Sequence, residues 1–253
     1  MKNMIREYGE RLKIIRNAQS CNEIYTKIFS RHFSYFVTAL LSFTSITPNK
    51  LTILMFPIGI MSGVIMAYGT LEAMIIGGVF AIMLNLVDTV DGELARFLNK
   101  RSLGGDYLDR LAHYVTNMTV IIGFSYGLAE YFTNNGILAA GIFAALILNF
   151  DDASRDLLIT CGMQSLKLER KVQKKVTKIK APNFVLLLGQ LIGSNTALFH
   201  LVPILASIGL FLKSKEFDER TVMVLLMWYL LIFLSINFLK SIFRIIKIKS
   251  EFF

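Results

Sequence analysis

Charge is scarce in this chain. Only 18% of its 253 residues are charged, against 54% hydrophobic, and the mean hydropathy is +0.55. A soluble domain usually carries about a quarter charged residues. Here the apolar residues come in blocks too long for core strands and too poor in charge for soluble helices. The residue-by-residue alternation of a membrane β-barrel is also missing, so the membrane-crossing segments are expected to be helical. Cysteine is nearly absent. Cys21 and Cys161 lie far apart and suggest neither a disulfide framework nor a zinc site. The first residues, Met1 to Arg16, are charged and have no apolar core, which predicts that no cleavable signal peptide is present. No internal repeat is visible, and the connecting segments leave no room for a large soluble domain. The expectation is an all-α, polytopic integral membrane protein.

Six spans are predicted, over residues 50–69, 71–98, 105–132, 137–161, 183–212 and 221–246. Ahead of them, residues 1–20 are polar and basic. Residues 22–45 set Lys27, Arg31 and His32 against Ile28, Phe29, Phe33, Phe36, Leu40 and Leu41 at three- and four-residue steps. That pattern predicts an amphipathic helix lying in the membrane interface, with a short or re-entrant span over 33–46 as the alternative. Pro48 disfavours helix at the residue before it and Asn49 is a good N-cap, so the first span should start there, with Thr52 in its first turn. The chain thus divides into a cytoplasmic N-terminus with its juxtamembrane helix, 1–46, and a six-helix membrane domain, 47–253.

The net charge of +9 is unevenly placed. With the N-terminus in the cytoplasm, the basic N-terminal segment, the Asn99–Ser102 link, the basic stretch 165–180 and the tail with Arg244, Lys247 and Lys249 all fall on the cytoplasmic side. The nearly neutral Gly69-Thr70, Thr133–Asn135 and 213–220 segments fall on the other. This satisfies the positive-inside rule at every loop. The basic segments point to anionic membrane lipid and not to nucleic acid.

Carboxylates within such spans are costly and need a partner. They concentrate at the cytoplasmic ends of the second and third spans, as Asp88 and Asp91, then Asp109 with His113 one turn later. Residues three or four apart share a helix face. The two helices are joined by a short link, so the faces can converge. Hard oxygen ligands of this kind suit Mg²⁺ or Mn²⁺, and two such ions can clamp a diphosphate for in-line displacement. Gly92 and Gly105 leave the backbone open to a phosphate or nucleotide, Ala95 keeps the next turn narrow, and Arg96 sets a cation at a helix C-terminus within reach of a phosphate. The plainer reading of the three acids is a set of membrane ion pairs with Arg96, Arg101 and Arg110.

The run Asp88-x2-Asp91-Gly92-x2-Ala95-Arg96-x8-Gly105-x3-Asp109 resembles the signature of the CDP-alcohol phosphotransferases. Thr47-Pro48-Asn49-x2-Thr52 is similar to the start of that family's first core helix, and the segment before it to the family's juxtamembrane helix. The resemblance implies a six-helix membrane enzyme, commonly dimeric, that moves a substituted phosphoryl group from a CDP-linked donor to an alcohol or lipid acceptor and releases CMP. It implies that Asp88, Asp91 and Asp109 hold two divalent cations, and that Asn49, Thr52, Asp88, Gly92, Ala95, Arg96 and Gly105 line the nucleotide site. The family's signature ends in a fourth aspartate serving as general base and helping with metal; this sequence has His113 there. An imidazole can act as the base, since its pKa of about 6.5 is nearer neutrality than a carboxylate's, and it can ligate metal. The readings open at this position are a base, a metal ligand with a base elsewhere, and an inactive paralogue.

Asp151, Asp152 and Arg155, late in the fourth span, form a candidate acceptor or head-group site, with an Asp151–Arg155 pair as the plainer reading. Gly59/Gly63, Gly123/Gly127 and Gly189/Gly193 allow close helix packing within a protomer or across a homodimer. A transporter using the acids as a cation site is the alternative from another class. It is expected to place carboxylates at the bilayer midplane, whereas these cluster at one interface.

Overall fold

The computed structural model describes residues 2–17, 31–164, 195–213 and 218–252. The basic stretch 165–180, the first part of the fifth predicted span and the Gly189/Gly193 pair lie outside the described residues. Among the described residues all regular structure is helical: α1 (Lys2–Asn17), α2 (Arg31–Leu41), α3 (Pro48–Met66), α4 (Leu71–Phe97), α5 (Leu103–Phe132), α6 (Asn135–Gln164), α7 (Asn195–Lys213) and α8 (Glu219–Phe252). Four segments are long and apolar enough to cross a membrane: Pro48–Met66, Leu71–Phe97, Asn135–Leu157 and Glu219–Phe243. The described apolar part of α7, Ala197–Lys213, is shorter. Helix α5 has the length, but His113, Thr116, Asn117, Thr119 and Ser125 dilute its apolar character. Thr116, Asn117 and Ser125 are buried in the protein, where polar side chains of a membrane helix are expected to point.

Helices α3 to α8 pack as a closed ring in the spatial order α7, α4, α3, α5, α6, α8, with α8 returning to α7. A single large core fills the ring, with Met55, Met66, Met74, Phe124, Leu226 and Phe233 among its members. α3 is the central wedge. It packs extensively on both α4 and α5, which have little direct contact with each other despite being consecutive. Small residues make that possible. A Cβ on Gly63 would run into the Thr119 carbonyl, one on Gly123 into the Gly63 carbonyl, and one on Gly127 into the Met66 carbonyl. The Gly59/Gly63 and Gly123/Gly127 pairs are therefore used within the protomer, between α3 and α5. On the other side of α4, Gly78 leaves the space that the Pro203 ring of α7 occupies. Ser62 Oγ donates to the Gly77 carbonyl at 2.8 Å, tying α3 to α4.

Local signals account for the helix boundaries. Thr70 caps α4 by accepting from Ala73 N at 3.1 Å, and Ser102 caps α5 by accepting from Gly105 N at 3.0 Å. The turn between α3 and α4 passes through Gly69 at φ +71°, where an L side chain would be strained. The start of α3 corrects the sequence expectation. The cap is Thr47, in extended backbone, and Pro48 is the first helical residue. Proline suits that position because its missing N–H is one the helix could not have satisfied, and its φ is already helical. Asn49 therefore lies inside the first turn, with its side chain free for another role.

Outside the ring, α1 and α2 form a small annex on α4. Arg11 donates to the Ser42 carbonyl at 2.7 Å and lies over the Phe43 ring at 4.0 Å. Val37 and Leu41 of α2 pack with Leu51, Val90 and Leu94 in a second, smaller core. Phe33, Phe36 and Leu40 face outward.

Close α3–α5 packing sets a test. Gly123→Ala must displace backbone and is expected to cost about 1–3 kcal/mol, read as a lower thermal midpoint in detergent. Gly104→Ala, whose added methyl meets open space, should leave the midpoint unchanged or raise it slightly. Equal midpoints for the two variants would contradict the packing.

Candidate active site

α4 and α5 both pack on α3 and have little direct contact with each other, and the region between their facing surfaces, the cleft, holds the candidate site. The last turns of α4 supply Asp88, Asp91, Gly92, Ala95 and Arg96. The first turns of α5 supply Gly105, Asp109 and His113, and the first turn of α3 supplies Asn49 and Thr52. The link from α4 to α5 is short and turns at Asn99, with φ 51°. That turn sends α5 back along α4 so that the two acidic faces meet.

At the meeting point, His113 Nε2 lies 3.1 Å from Asp88 Oδ1 and 3.5 Å from Asp109 Oδ1. One ligand atom from each of the three residues falls within 4.8 Å of the others. Ligands bound to an octahedral ion at about 2.1 Å stand about 3.0 Å apart when adjacent and about 4.2 Å when opposite, so the set is near the dimensions of a Mg²⁺ or Mn²⁺ shell. Asp109 Oδ1 is buried and accepts no hydrogen bond among the described residues. A buried carboxylate oxygen in that state is expensive, and a cation would relieve it. Two carboxylates and an imidazole are a donor set suited to Mn²⁺ and tolerable for Mg²⁺. The residues present therefore fit a divalent cation.

Asp91 stands apart from that trio. It is 6% exposed and accepts a hydrogen bond from Thr52 Oγ1 at 2.6 Å, which joins α4 to α3. Thr52 in turn sits one helical turn after Pro48, within 3.2 Å of its carbonyl. Asn49 Oδ1 would lie 3.1 Å from a Cβ on Gly105, so the side chain freed by the Thr47 cap closes over the glycine of α5. The nearest side chain to a Cβ on Gly92 among the described residues would be the Arg96 guanidinium, at 3.5 Å. Arg96 is exposed and Ala95 half-buried. The Thr52–Asp91 and Asn49–Gly105 contacts thus lie on the same helices that carry Asp88, Asp109 and His113, and Gly92, Ala95 and Arg96 follow along α4.

The candidate acceptor residues are arranged differently from expectation. Arg155 pairs with Asp152, three residues back, at 2.7 Å. Asp151 is buried and Arg155 is exposed. Asp152 lies within electrostatic range of His113. Further on, Asp156 takes Arg110 in an ion pair and the Tyr114 hydroxyl at 2.7 Å. Arg110 and Tyr114 are the immediate neighbours of Asp109 and His113, so this bracket sets the turn of α5 that carries them. Between α6 and α8, the Asn149 amide is buried with neither end hydrogen-bonded among the described residues, as are Asn237 Oδ1 and Ser241 Oγ.

Sequence reasoning passed over Glu93. It is 4% exposed and accepts from Ser34 Oγ at 2.9 Å and Thr38 Oγ1 at 2.8 Å, both on α2. Its position inside the motif was a signal, but its partners lie more than fifty residues earlier and no spacing rule points to them.

Residues 45–234 match the family model described as CDP-alcohol phosphatidyltransferase. A search of curated proteins finds no match to the chain.

The three-residue cluster can be tested with Mn²⁺ as an electron paramagnetic resonance probe. Asp88→Asn and Asp109→Asn are each expected to weaken Mn²⁺ binding at least about tenfold, in line with the loss of a charged ligand. Wild-type affinity in both variants would rule out a metal site there.

Proposed function

The chain belongs to the CDP-alcohol phosphatidyltransferase family, and on that premise we propose that it transfers a substituted phosphoryl group from a CDP-linked donor to an alcohol acceptor with the help of divalent metal. Members of this family move a phosphate group from a CDP-alcohol to an acceptor. The four apolar helices long enough to cross a bilayer make it an integral membrane protein. The observation that carries the finer reading is the convergence of Asp88, Asp109 and His113 beside the Thr52–Asp91 contact.

In this reading Asp88 and Asp109, which lie within one cluster with His113, would hold a divalent cation, Mg²⁺ or Mn²⁺, and Asp91 would turn from Thr52 to help hold a second. When bound, these neutralise the diphosphate of the donor and favour departure of CMP. Arg96 adds a cation that pairs with phosphate. Asn49, Thr52, Gly92, Ala95 and Gly105 receive the nucleotide where the backbone lies open. His113 takes the proton of the acceptor hydroxyl. That oxygen attacks the phosphorus on the alcohol (or diacylglycerol) side of the donor. The bond from this phosphorus to the bridging oxygen breaks, and CMP leaves with the electron pair. The imidazole suits the task because its side chain is 40% exposed, open to an incoming hydroxyl, and oriented by Asp88. Asp151, Asp152 and Arg155, with the unpaired Asn149 amide nearby in sequence, border the acceptor side. Such groups suit a polyol or cationic head group better than a sugar phosphate.

The wider arrangement we propose has six spans, counting α5 and the full fifth span. Both termini and the site face the cytoplasm, the outward phenylalanines of α2 lie in the membrane interface, and the working form is a homodimer. CDP-diacylglycerol with a polar alcohol, and a CDP-linked alcohol with a lipid, are both compatible with the cleft.

Purified protein incubated with a panel of CDP-linked donors and Mg²⁺ or Mn²⁺ should release CMP, and mass spectrometry of the product names the acceptor. No CMP from any donor would point to an inactive relative. His113→Ala should lower kcat by about 10²–10⁴-fold with Mn²⁺ affinity retained. Wild-type rates would sink the base role, and loss of Mn²⁺ binding would make His113 a ligand instead.

A further inference from the structure

One buried carboxylate joins α2 to the nucleotide side of the cleft. Glu93 Oε1 accepts from Ser34 and Oε2 from Thr38, and both hydroxyl residues are fully buried. Ser34 and Thr38 are one turn apart on α2. Each carboxylate oxygen thus takes one hydroxyl of the same face, a two-point contact that fixes both the height and the rotation of α2 on α4. A slip of one residue in either helix would unmake both bonds. Burying a carboxylate is costly, and Val37 and Leu41 already hold α2 against Val90 and Leu94 by apolar packing. Attachment alone does not need Glu93.

Its location suggests what it adds. Asp91 and Glu93 are two residues apart on a helix, so they point to nearly opposite sides. Asp91 is held by Thr52 of α3, and Glu93 by Ser34 and Thr38 of α2. The turn between them carries Gly92, and the next carries Arg96. This turn of α4 is gripped from two sides and cannot rotate without breaking one grip. The α2 grip is itself braced, because Arg11 of α1 donates to the Ser42 carbonyl and to Ser42 Oγ at 3.0 Å, just past the end of α2.

The geometry points to Glu93 as a positioning residue: the clasp it forms with Ser34 and Thr38 sets the rotation of α4 that aims Gly92 and Arg96 at the CDP moiety of the donor. The inference rests on the CDP-dependent reading of the site. Glu93 touches neither nucleotide nor metal and acts through the helix it belongs to. Ser34 and Thr38 therefore matter to nucleotide affinity although they lie outside the cleft.

The experiment compares Glu93→Gln, the double variant Ser34→Ala/Thr38→Ala, and the triple variant that combines them. Readouts are CDP binding by calorimetry, KM and kcat for CMP release, Mn²⁺ affinity and thermal midpoint. KM for the donor and Kd for CDP should rise about five- to tenfold, with kcat within about twofold of wild type and Mn²⁺ affinity unchanged. The triple variant should be no worse than the more affected parent, since both parents break the same contact. A scaffolding role alone would lower the midpoint and the active fraction, so kcat would fall and KM stay put; that result overturns the inference. So do additive effects. If Glu93→Gln does not fold, the single variants Ser34→Ala and Thr38→Ala, each keeping one hydroxyl, carry the same KM-against-kcat test. Failure of the wild-type protein to bind CDP would sink the functional reading and this inference with it. Wild-type CDP binding that none of the substitutions alters would sink this inference alone.

Discussion

Every acid that enters this helical bundle has to be answered by another group, because hydrocarbon and packed side chains offer it no water. The answers organise the structure. Asp91 is met by Thr52, Glu93 by Ser34 and Thr38, Asp156 by Arg110 and Tyr114, Asp152 by Arg155, and Asp88 by His113. Most of these contacts join different helices, so they also determine how the helices are rotated. Asp109 Oδ1 differs. It is buried, and among the described residues it accepts no hydrogen bond, with the His113 imidazole 3.5 Å away. The incomplete position lies where α4 and α5 face each other, which is where the chemistry is proposed to occur.

The cleft follows from packing that is unusually close on one side and sparse on another. Glycines let α3 settle against α5, and Ser62 with Gly77 ties α3 to α4. α4 and α5 both pack on α3 and meet each other at few points, Asp88 and His113 among them. The sequence of small residues therefore produces the opening as directly as the acids produce its chemistry. Within a ring of six helices, each held by two neighbours, the opening does not require any helix to be left without support.

Much of this was legible in the sequence. The spacing of Asp88, Asp91, Asp109 and His113 is local, and helical periodicity turns such spacing into shared faces without further information. The caps at Thr70 and Ser102, and the apolar blocks that became α3, α4, α6 and α8, are local in the same sense. Legibility failed where two local rules competed or where the partner was distant. Pro48 and Asn49 each signal a helix start, and the proline prevailed, which moved the cap to Thr47 and released Asn49 toward Gly105. Arg155 could pair at three or four residues, and the structure shows it on Asp152, three residues back. The Glu93 and Asp156 contacts depend on how whole helices are rotated in the bundle, which periodicity within one helix does not encode.

The division at residue 46 looks natural in the sequence, since polar and amphipathic residues end there and apolar spans begin. The family match likewise begins at residue 45. Yet Ser34 and Thr38 lie on one side of that line and Glu93 on the other. A chain cut at the boundary would keep every motif residue and still lose both hydroxyls that Glu93 accepts from, beside its own nucleotide segment. The smallest self-sufficient unit is thus larger than the recognisable one. Grafting the membrane core of this protein onto another N-terminus would transplant the motif without the helix that holds it still.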